Sequence, residues 1–291
     1  MLASIEGEPG AAWAVGPHVR ADFPSMVEHG KIIGVELIMD PRQLDELDVE
    51  SAYCRPKGDA MATILITGAN RGLGLEFARQ YLAEGDAVIA ATRNPGAAHR
   101  LRQLERDSKG SLTVVEADVA DTASVRRAAA HVPASAIDIL INCAGVIGGD
   151  GQTIGSIDYH EWMRVLDVNV LGPMRICEAF LDRVAQSGRR LIVTITSGMG
   201  SLADNTSGGS IAYRTSKAAV NMAMRTAAID LRARGINCVV INPGWVKTDM
   251  GGPNAKLTPE QSITAMRRVI SELGPDDSGR FYNYDGREYP W

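Results

Sequence analysis

From Met61 onward the chain alternates short runs that are apolar along their whole length with longer stretches of helical spacing. Ala62 to Thr67 (ATILIT), Ala87 to Thr92 (AVIAAT), Leu112 to Ala117, Ile137 to Asn142, Leu191 to Thr196 (LIVTIT) and Asn237 to Asn242 (NCVVIN) read as strands, with a short last one at Arg280 to Tyr284. Between them, Leu73 to Glu84 places Leu75, Phe77, Ala78, Tyr81 and Leu82 largely on one side of a helix. Further helices are expected over Pro95 to Asp107, Thr122 to His131, Asp158 to Gln186 with a kink near Pro173, Tyr213 to Arg234 closed by Gly235, and Pro259 to Leu273. A strand without polar alternation has no face to give to water, so helices must cover both sides, as they do in a parallel sheet. Right-handed crossovers then lead to an α/β fold with a doubly wound, mostly parallel sheet of about seven strands and helices on both faces. Ligands in such sheets sit outside the carboxyl ends of the strands, where most of the motifs below fall.

The first sixty residues differ in kind. They hold five prolines and six glycines, and only Ile32 to Met39 reads as a strong strand. Met61 stands directly before the first strand, like a natural start. The expected organisation is therefore an N-terminal appendage at 1–60, poorly ordered and without catalytic function, and a catalytic domain at 61–291.

The 291 residues are 45% hydrophobic and 22% charged, enough for a core of normal size. A net charge of −5 disfavours nucleic acid or an anionic membrane as partner. No stretch approaches the ~20 apolar residues of a membrane helix. The N-terminus carries acids early and no basic region before an apolar run, so a cytoplasmic location is expected. Cys54, Cys143, Cys177 and Cys238 form no C-x-x-C pair, so no metal site is assigned and the cysteines read as small buried hydrophobes.

Thr67-Gly68-Ala69-Asn70-Arg71-Gly72-Leu73-Gly74 follows a strand and opens a helix. Its glycines let the backbone turn sharply and approach an anion, and the helix start offers unpaired N–H groups to a pyrophosphate. The spacing is G-x-x-x-G-x-G rather than G-x-G-x-x-G. An acid at the end of the second strand would accept a ribose 2′-hydroxyl and select NAD. Here the strand ends Ala91-Thr92-Arg93, and Arg71 lies in the glycine loop. Two arginines suit a 2′-phosphate, so NADP(H) is expected over NAD(H); the alternative is that both are solvated surface charges.

Tyr213 and Lys217 lie four residues apart, on one face of a helix. An ammonium near a phenol favours the phenolate, so a tyrosine pKa below the usual ~10 is expected. Such a tyrosine could hand a proton to a carbonyl oxygen while hydride reaches the carbon. The alternative is a solvent-facing pair.

The glycine loop, Asn142-Cys143-Ala144-Gly145, Asn169, Ser197, Tyr213/Lys217 and Pro243-Gly244 occur in that order. Together they resemble the short-chain dehydrogenase/reductase family over residues 61–291. The segments YRTSKAAVN, PGWVKTDMGG and GRFYNYDGREYPW resemble the C-factor and sniffer-like carbonyl reductases within it. The resemblance implies a Rossmann-type sheet and a set of roles. Tyr213 would be the general acid/base, Lys217 would bind the nicotinamide ribose, Ser197 would bond the substrate oxygen, and Asn169 would support a water-linked relay to Lys217. Gly68, Asn70, Arg71, Gly72, Leu73 and Gly74 would hold the phosphates. Asp118 and Val119 would meet the adenine, Asn142, Ala144 and Gly145 would line the nucleotide path, and Pro243, Gly244, Val246 and Thr248 would wrap the nicotinamide end.

Two departures stand out. Cys143 replaces the usual second amide of N-N-A-G, removing hydrogen-bonding capacity. Ser197 lies 16 residues before Tyr213, a longer gap than the family's usual one, while Ser201 lies 12 before. Ser197 is preferred because it directly follows the strand, and Ser201 stays open.

Substrate choice is expected from the loops Val146 to Ile157, Gly198 to Ser210 and Gly244 to Lys256, with Trp245 and Met250 as wall candidates and the last loop as a lid. The two long helices are expected to form a homodimer or homotetramer contact. Gly30 to Glu50 resembles the end of the SnoaL-like domain of some extracytoplasmic-function sigma factors, which suggests a fused remnant or a start-site artefact, with a dimerisation arm as the alternative. The expected function is NADPH-dependent reduction of an aldehyde or ketone. The alternatives are a cofactor-binding signalling protein with little turnover and NAD-dependent alcohol oxidation.

Overall fold

The computed structural model describes residues 61–150 and 152–291 fully and, within 1–60, the backbone of five strands. The chain divides into two compact units, Met1–Ala60 and Met61–Trp291.

In the larger unit the strands, numbered within it, are β1 (Thr63–Thr67), β2 (Ala87–Thr92), β3 (Leu112–Glu116), β4 (Ile139–Asn142), β5 (Leu191–Ile195), β6 (Asn237–Asn242) and β7 (Phe281–Asn283). They form one sheet in the order β7-β6-β5-β4-β1-β2-β3, and every pair is parallel. The order reverses between β1 and β4, which opens a crevice at their carboxyl ends. The helices are α1 (Gly72–Ala83), α2 (His99–Asp107), α3 (Thr122–His131), α4 (Tyr159–Leu166), α5 (Gly172–Ala185), α6 (Ile211–Asp230) and α7 (Pro259–Glu272).

Successive strand residues feed two cores. Leu65, Leu140, Ile192 and Val240 pack with Val125, Phe180, Val220 and Met224 of α3, α5 and α6. Their neighbours Ile64, Ile66, Ile141, Val193 and Val239 pack with Phe77, Leu101, Ile263 and Met266 of α1, α2 and α7. The unbroken apolar strands thus have a helix layer on each face, and each fully buried Leu, Ile or Phe contributes about 1.5–3 kcal/mol.

Two helices depart from the expected spans. The Asp158–Gln186 stretch is interrupted by a π-helical segment, Asp167–Leu171, and not kinked by Pro173. Pro173 lies in the first turn of α5, where a missing N–H matters least. Around Pro95 a 3-10 turn, Pro95–Ala97, precedes α2.

In the smaller unit, Leu2–Ile5, Glu8–Val15, His18–Glu28, Lys31–Val35 and Val49–Glu50 form one antiparallel sheet. Sequence reading marked a single strand there. Prolines and glycines hide short strands, because pairing partners rather than local propensity make them. Residues 36–39 of the expected strand lie outside the described residues.

Candidate active site

The glycine loop turns over the end of β1. Gly68 has φ +69, and a Cβ there would lie 2.8 Å from Ala144 Cα. A Cβ on Gly74 would lie 2.4 Å from the Gly68 carbonyl oxygen. Both positions therefore require glycine. The Thr67 hydroxyl ties the loop to β4, accepting from Cys143 N–H (3.0 Å) and Ala144 N–H (3.1 Å). Arg71 is the N-cap of α1 and makes no side-chain cap bond, so no capping side chain takes up the first-turn N–H groups, among them Leu73. That is the donor set an anion needs.

Asp118, after β3, takes its own N–H to Ser124 Oγ (3.0 Å) and accepts from Ala120 N–H (3.0 Å), so its carboxylate shapes the turn. Val119 is buried against Gly172. Asn142 Nδ2 reaches Thr194 Oγ1 (3.3 Å), and its buried Oδ1 has no hydrogen-bond partner among the described residues. The two expected phosphate arginines are not paired on one group. Arg71 forms an ion pair with Asp249 (2.8 Å), with side chains 68% and 76% exposed, while Arg93 is exposed with no ion pair among the described residues. Asn70 is half-buried.

At the other end of the crevice stand Ser197, Tyr213 and Lys217. Ser197 follows β5 and caps a 3-10 turn, Gly198–Gly200, accepting from Met199 N–H (3.1 Å). Its hydroxyl lies near enough to the Tyr213 phenol to favour the ionised form. Ser201 is engaged elsewhere, donating to the Trp291 carbonyl (3.2 Å) and accepting from Asp204 N–H (3.0 Å). Tyr213 is 7% exposed and Lys217 5%. The Lys217 ammonium lies 5.8 Å from the tyrosine ring centre and donates to the Ile195 carbonyl (2.9 Å). Gly145 is the neighbour that leaves it room: a Cβ there would lie 3.6 Å from Lys217 Nζ and 3.4 Å from Asn169 Oδ1.

The expected low tyrosine pKa is not found. Burial pushes the phenol up to about 12, with the nearby Ser197 hydroxyl opposing. Burial also pushes Lys217 down to about 8. Desolvation outweighs attraction because both groups sit in the interior and the ammonium bonds a carbonyl rather than the phenol. Cys143 lies close enough to feel Lys217, but burial holds its thiol up at about 12, so it is uncharged at neutral pH.

Asn169 falls in the π-helical segment and is 1% exposed. Its Oδ1 accepts from Val146 N–H (2.9 Å), and its Nδ2 donates to the Val146 carbonyl (2.8 Å) and to Ser216 Oγ (3.0 Å). It pins the loop that begins at Val146 to α6. Gly244 (φ +75), Val246 and Thr248 shape the loop after β6, whose Pro243 carbonyl accepts from Ser262 (2.7 Å). Val246 bridges Leu257, and Thr248 approaches Gly72. Met250 Sδ lies 4.0 Å from Tyr213 Oη.

Sequence reading assigned no individual role to three contributors: Thr67, Gln152 and Asn221. Asn221 accepts from Thr196 Oγ1 (2.6 Å) and donates to Gly200 O (3.4 Å), steadying the Ser197 turn. It lies one helical turn past Lys217, a spacing that could have pointed to it. Among the described residues no cluster of His, Cys, Asp or Glu could hold a metal ion, and no helix is long and apolar enough to cross a membrane.

A glycine turn with uncapped N–H groups at the sheet's switch point, facing a buried Tyr-Lys pair, fits a dinucleotide. The fold and site define an NAD(P)-dependent oxidoreductase. Residues 62–257 match the family model for short chain dehydrogenases, and the chain belongs to that family. It is 47% identical over 167 residues to the C-signal of Myxococcus xanthus, covering 57% of this chain and 100% of that protein. Among solved structures it resembles the carbonyl reductase Sniffer of D. melanogaster (TM-score 0.76, 32% identity, 80% of this chain and 100% of that one). It also resembles NADPH-bound carbonyl reductase from chicken fatty liver (TM-score 0.75, 34% identity, 80% and 100%).

Proposed function

We propose that the protein reduces an aldehyde or ketone to an alcohol with NADPH, and that Tyr213 donates the proton. The observation that carries this is the grouping of Ser197, a buried Tyr213 and a buried Lys217, whose ammonium lies 5.8 Å from the tyrosine ring centre, at the carboxyl edge of the sheet. A bound nicotinamide supplies the hydride.

The chain's own residues do the rest. Ser197 holds the substrate oxygen beside Tyr213 Oη. A phenol raised to about 12 stays protonated through the neutral range, which suits donation to a developing alkoxide. Lys217 carries positive charge below about 8, holds a ribose hydroxyl and stabilises the phenolate left behind. Gly68, Asn70, Arg71, Gly72, Leu73 and Gly74 would hold the phosphates, with Arg71 and Arg93 on a 2′-phosphate. Asp118, Val119, Asn142, Ala144, Gly145, Pro243, Gly244, Val246 and Thr248 would line the rest of the nucleotide. NADPH over NADH is supported by the two arginines and by the NADPH-bound chicken enzyme.

We place the enzyme in the cytoplasm as a homodimer or homotetramer. Exposed Tyr159, Met163, Leu171, Met222 and Ile229 on the long helices would supply the contact. Residues 1–60 are an appendage outside the catalytic unit.

The test is a panel of aldehydes and ketones with NADPH, comparing wild type with Tyr213→Phe. Turnover should fall about 10²–10⁴-fold in the variant with NADPH binding retained. Unchanged turnover would defeat the mechanism. A second reading, a cofactor-binding signalling protein, is favoured by the similarity to the C-signal. It predicts NADPH binding without turnover of any carbonyl in the panel.

A further inference from the structure

We infer that Gln152 is a positioning residue that clamps the start of the catalytic helix, and with it Tyr213, to the substrate loop. The inference rests on the reading of Tyr213 as proton donor.

Helix α6 begins at Ile211, so Ile211, Ala212 and Tyr213 carry the first N–H groups without an intrahelical acceptor; Arg214 already donates to Ser210 (2.9 Å). A serine at the N-cap normally serves the third of these. Ser210 does not: it sits in the left-handed region (φ 46, ψ 47) and makes no cap bond. Gln152, 61 positions earlier than Tyr213, takes its place. Its main-chain carbonyl accepts from Ile211 N–H (3.0 Å) and its Oε1 accepts from Tyr213 N–H (3.1 Å). Its Nε2 donates to the carbonyls of Ile147 (3.0 Å) and Gly149 (2.8 Å). One end of the amide meets an N–H and the other meets two carbonyls, so its orientation is unambiguous. At the start of the loop Asn169 grips Val146 and Ser216. The loop is thus tied to α6 at Val146 through Asn169 and at the Tyr213 turn through Gln152.

Two variants separate positioning from plain structural support. Gln152→Met keeps length and volume and loses all three side-chain bonds. Gln152→Glu keeps an acceptor for Tyr213 N–H, but when ionised it faces two carbonyls without a donor; protonated, it regains one. With benzaldehyde and NADPH, Gln152→Met should lower kcat about tenfold and leave the KM for NADPH within about twofold. Gln152→Glu should lose kcat as pH rises through the carboxyl titration, a limb absent from wild type. Amide exchange of the 211–213 segment should speed up about tenfold in Gln152→Met. Wild-type kcat and pH profile in both variants, or unchanged exchange in that segment, would overturn the clamp. Tyr213→Phe is measured alongside. If it stays fully active the proton-donor reading fails, while the exchange measurement still decides the clamp.

Discussion

The two ends of the crevice are built differently. At the nucleotide end the shape is a property of the backbone. A Cβ on Gly74 would lie only 2.4 Å from the Gly68 carbonyl oxygen, Gly68 abuts Ala144, and the Thr67 hydroxyl holds two consecutive N–H groups. At the proposed substrate end the candidate walls are side chains on loops, and Ile147, Ile154, Leu202, Trp245 and Met250 are all exposed. Those loops are held by a few bonds, such as Trp245 Nε1 to the Gly251 carbonyl (2.7 Å) and Tyr289 Oη to Asp204 (2.6 Å). Recognition of an invariant cofactor can be written into main-chain geometry, whereas choice among carbonyls is left to groups that can change without disturbing the fold.

The strongest challenge to this contrast is Gly74→Ala. One methyl would collide with a carbonyl oxygen at 2.4 Å and with Ala69 Cα at 3.0 Å, and neither can yield without reshaping the loop. NADPH binding should become undetectable by fluorescence titration. Retained micromolar affinity would show that the loop is not backbone-determined.

Lys217→Met probes the junction of the two ends and should abolish most turnover while raising stability at pH 7. Burial lowers this lysine from 10.5 to about 8. Below pH ~8 both folded and unfolded chains hold the proton, so the folded state bears the full cost of the buried charge. Between about 8 and 10.5 the unfolded chain keeps a proton that the folded chain has released, so wild-type stability climbs with pH. At about 1.4 kcal/mol per pKa unit, partly offset by the lost bond to Ile195, the variant should gain about 1–2 kcal/mol at pH 7. The gain should shrink as pH rises through that window. Thermal melts from pH 7 to 10 check it, and a gain that stays constant would mean packing rather than charge.

The same contrast explains what could be read from the chain. The sheet was legible because β1, β4, β5 and β6 are apolar on both faces, and the glycine loop because no other residue fits it. The Tyr213 and Lys217 positions were legible as a pair on one helix face. Their electrostatics were not, since spacing says nothing about burial, and burial reversed the expected direction for the phenol. Gln152 was invisible for a related reason: its partner lies 61 residues away, and no local pattern links the two. The π-helical turn at Asn169 was read as a proline kink because no side-chain pattern announces an extra residue in a helix.

At the substrate end a milder effect is expected. Met250 is 43% exposed, and its sulfur touches Tyr213 Oη at 4.0 Å, where a carbonyl oxygen would have to come. Met250→Ala should open that position. The KM for bulky aromatic ketones should drop about five- to tenfold while kcat for a small aldehyde holds, the low end of the ~1–3 kcal/mol a pocket wall contributes to discrimination. Equal changes for both substrates would place Met250 outside the pocket.

The smallest effect tests whether the two ends are coupled. Arg71, expected on the cofactor phosphate, is paired in this structure with Asp249 on the loop after β6. If one guanidinium serves both, the carboxylate competes with the nucleotide, and Asp249→Asn should bind NADPH more tightly. The pair is exposed on both sides, and such pairs contribute about 0–1 kcal/mol, so the gain is capped at roughly fivefold and should fade as salt is raised. NADH has no 2′-phosphate and should gain less. Parallel titrations of the two cofactors at low and high salt read the difference directly. An equal gain for both would move Arg71 from the 2′-phosphate to the pyrophosphate, and no gain for either would leave the two ends of the crevice independent.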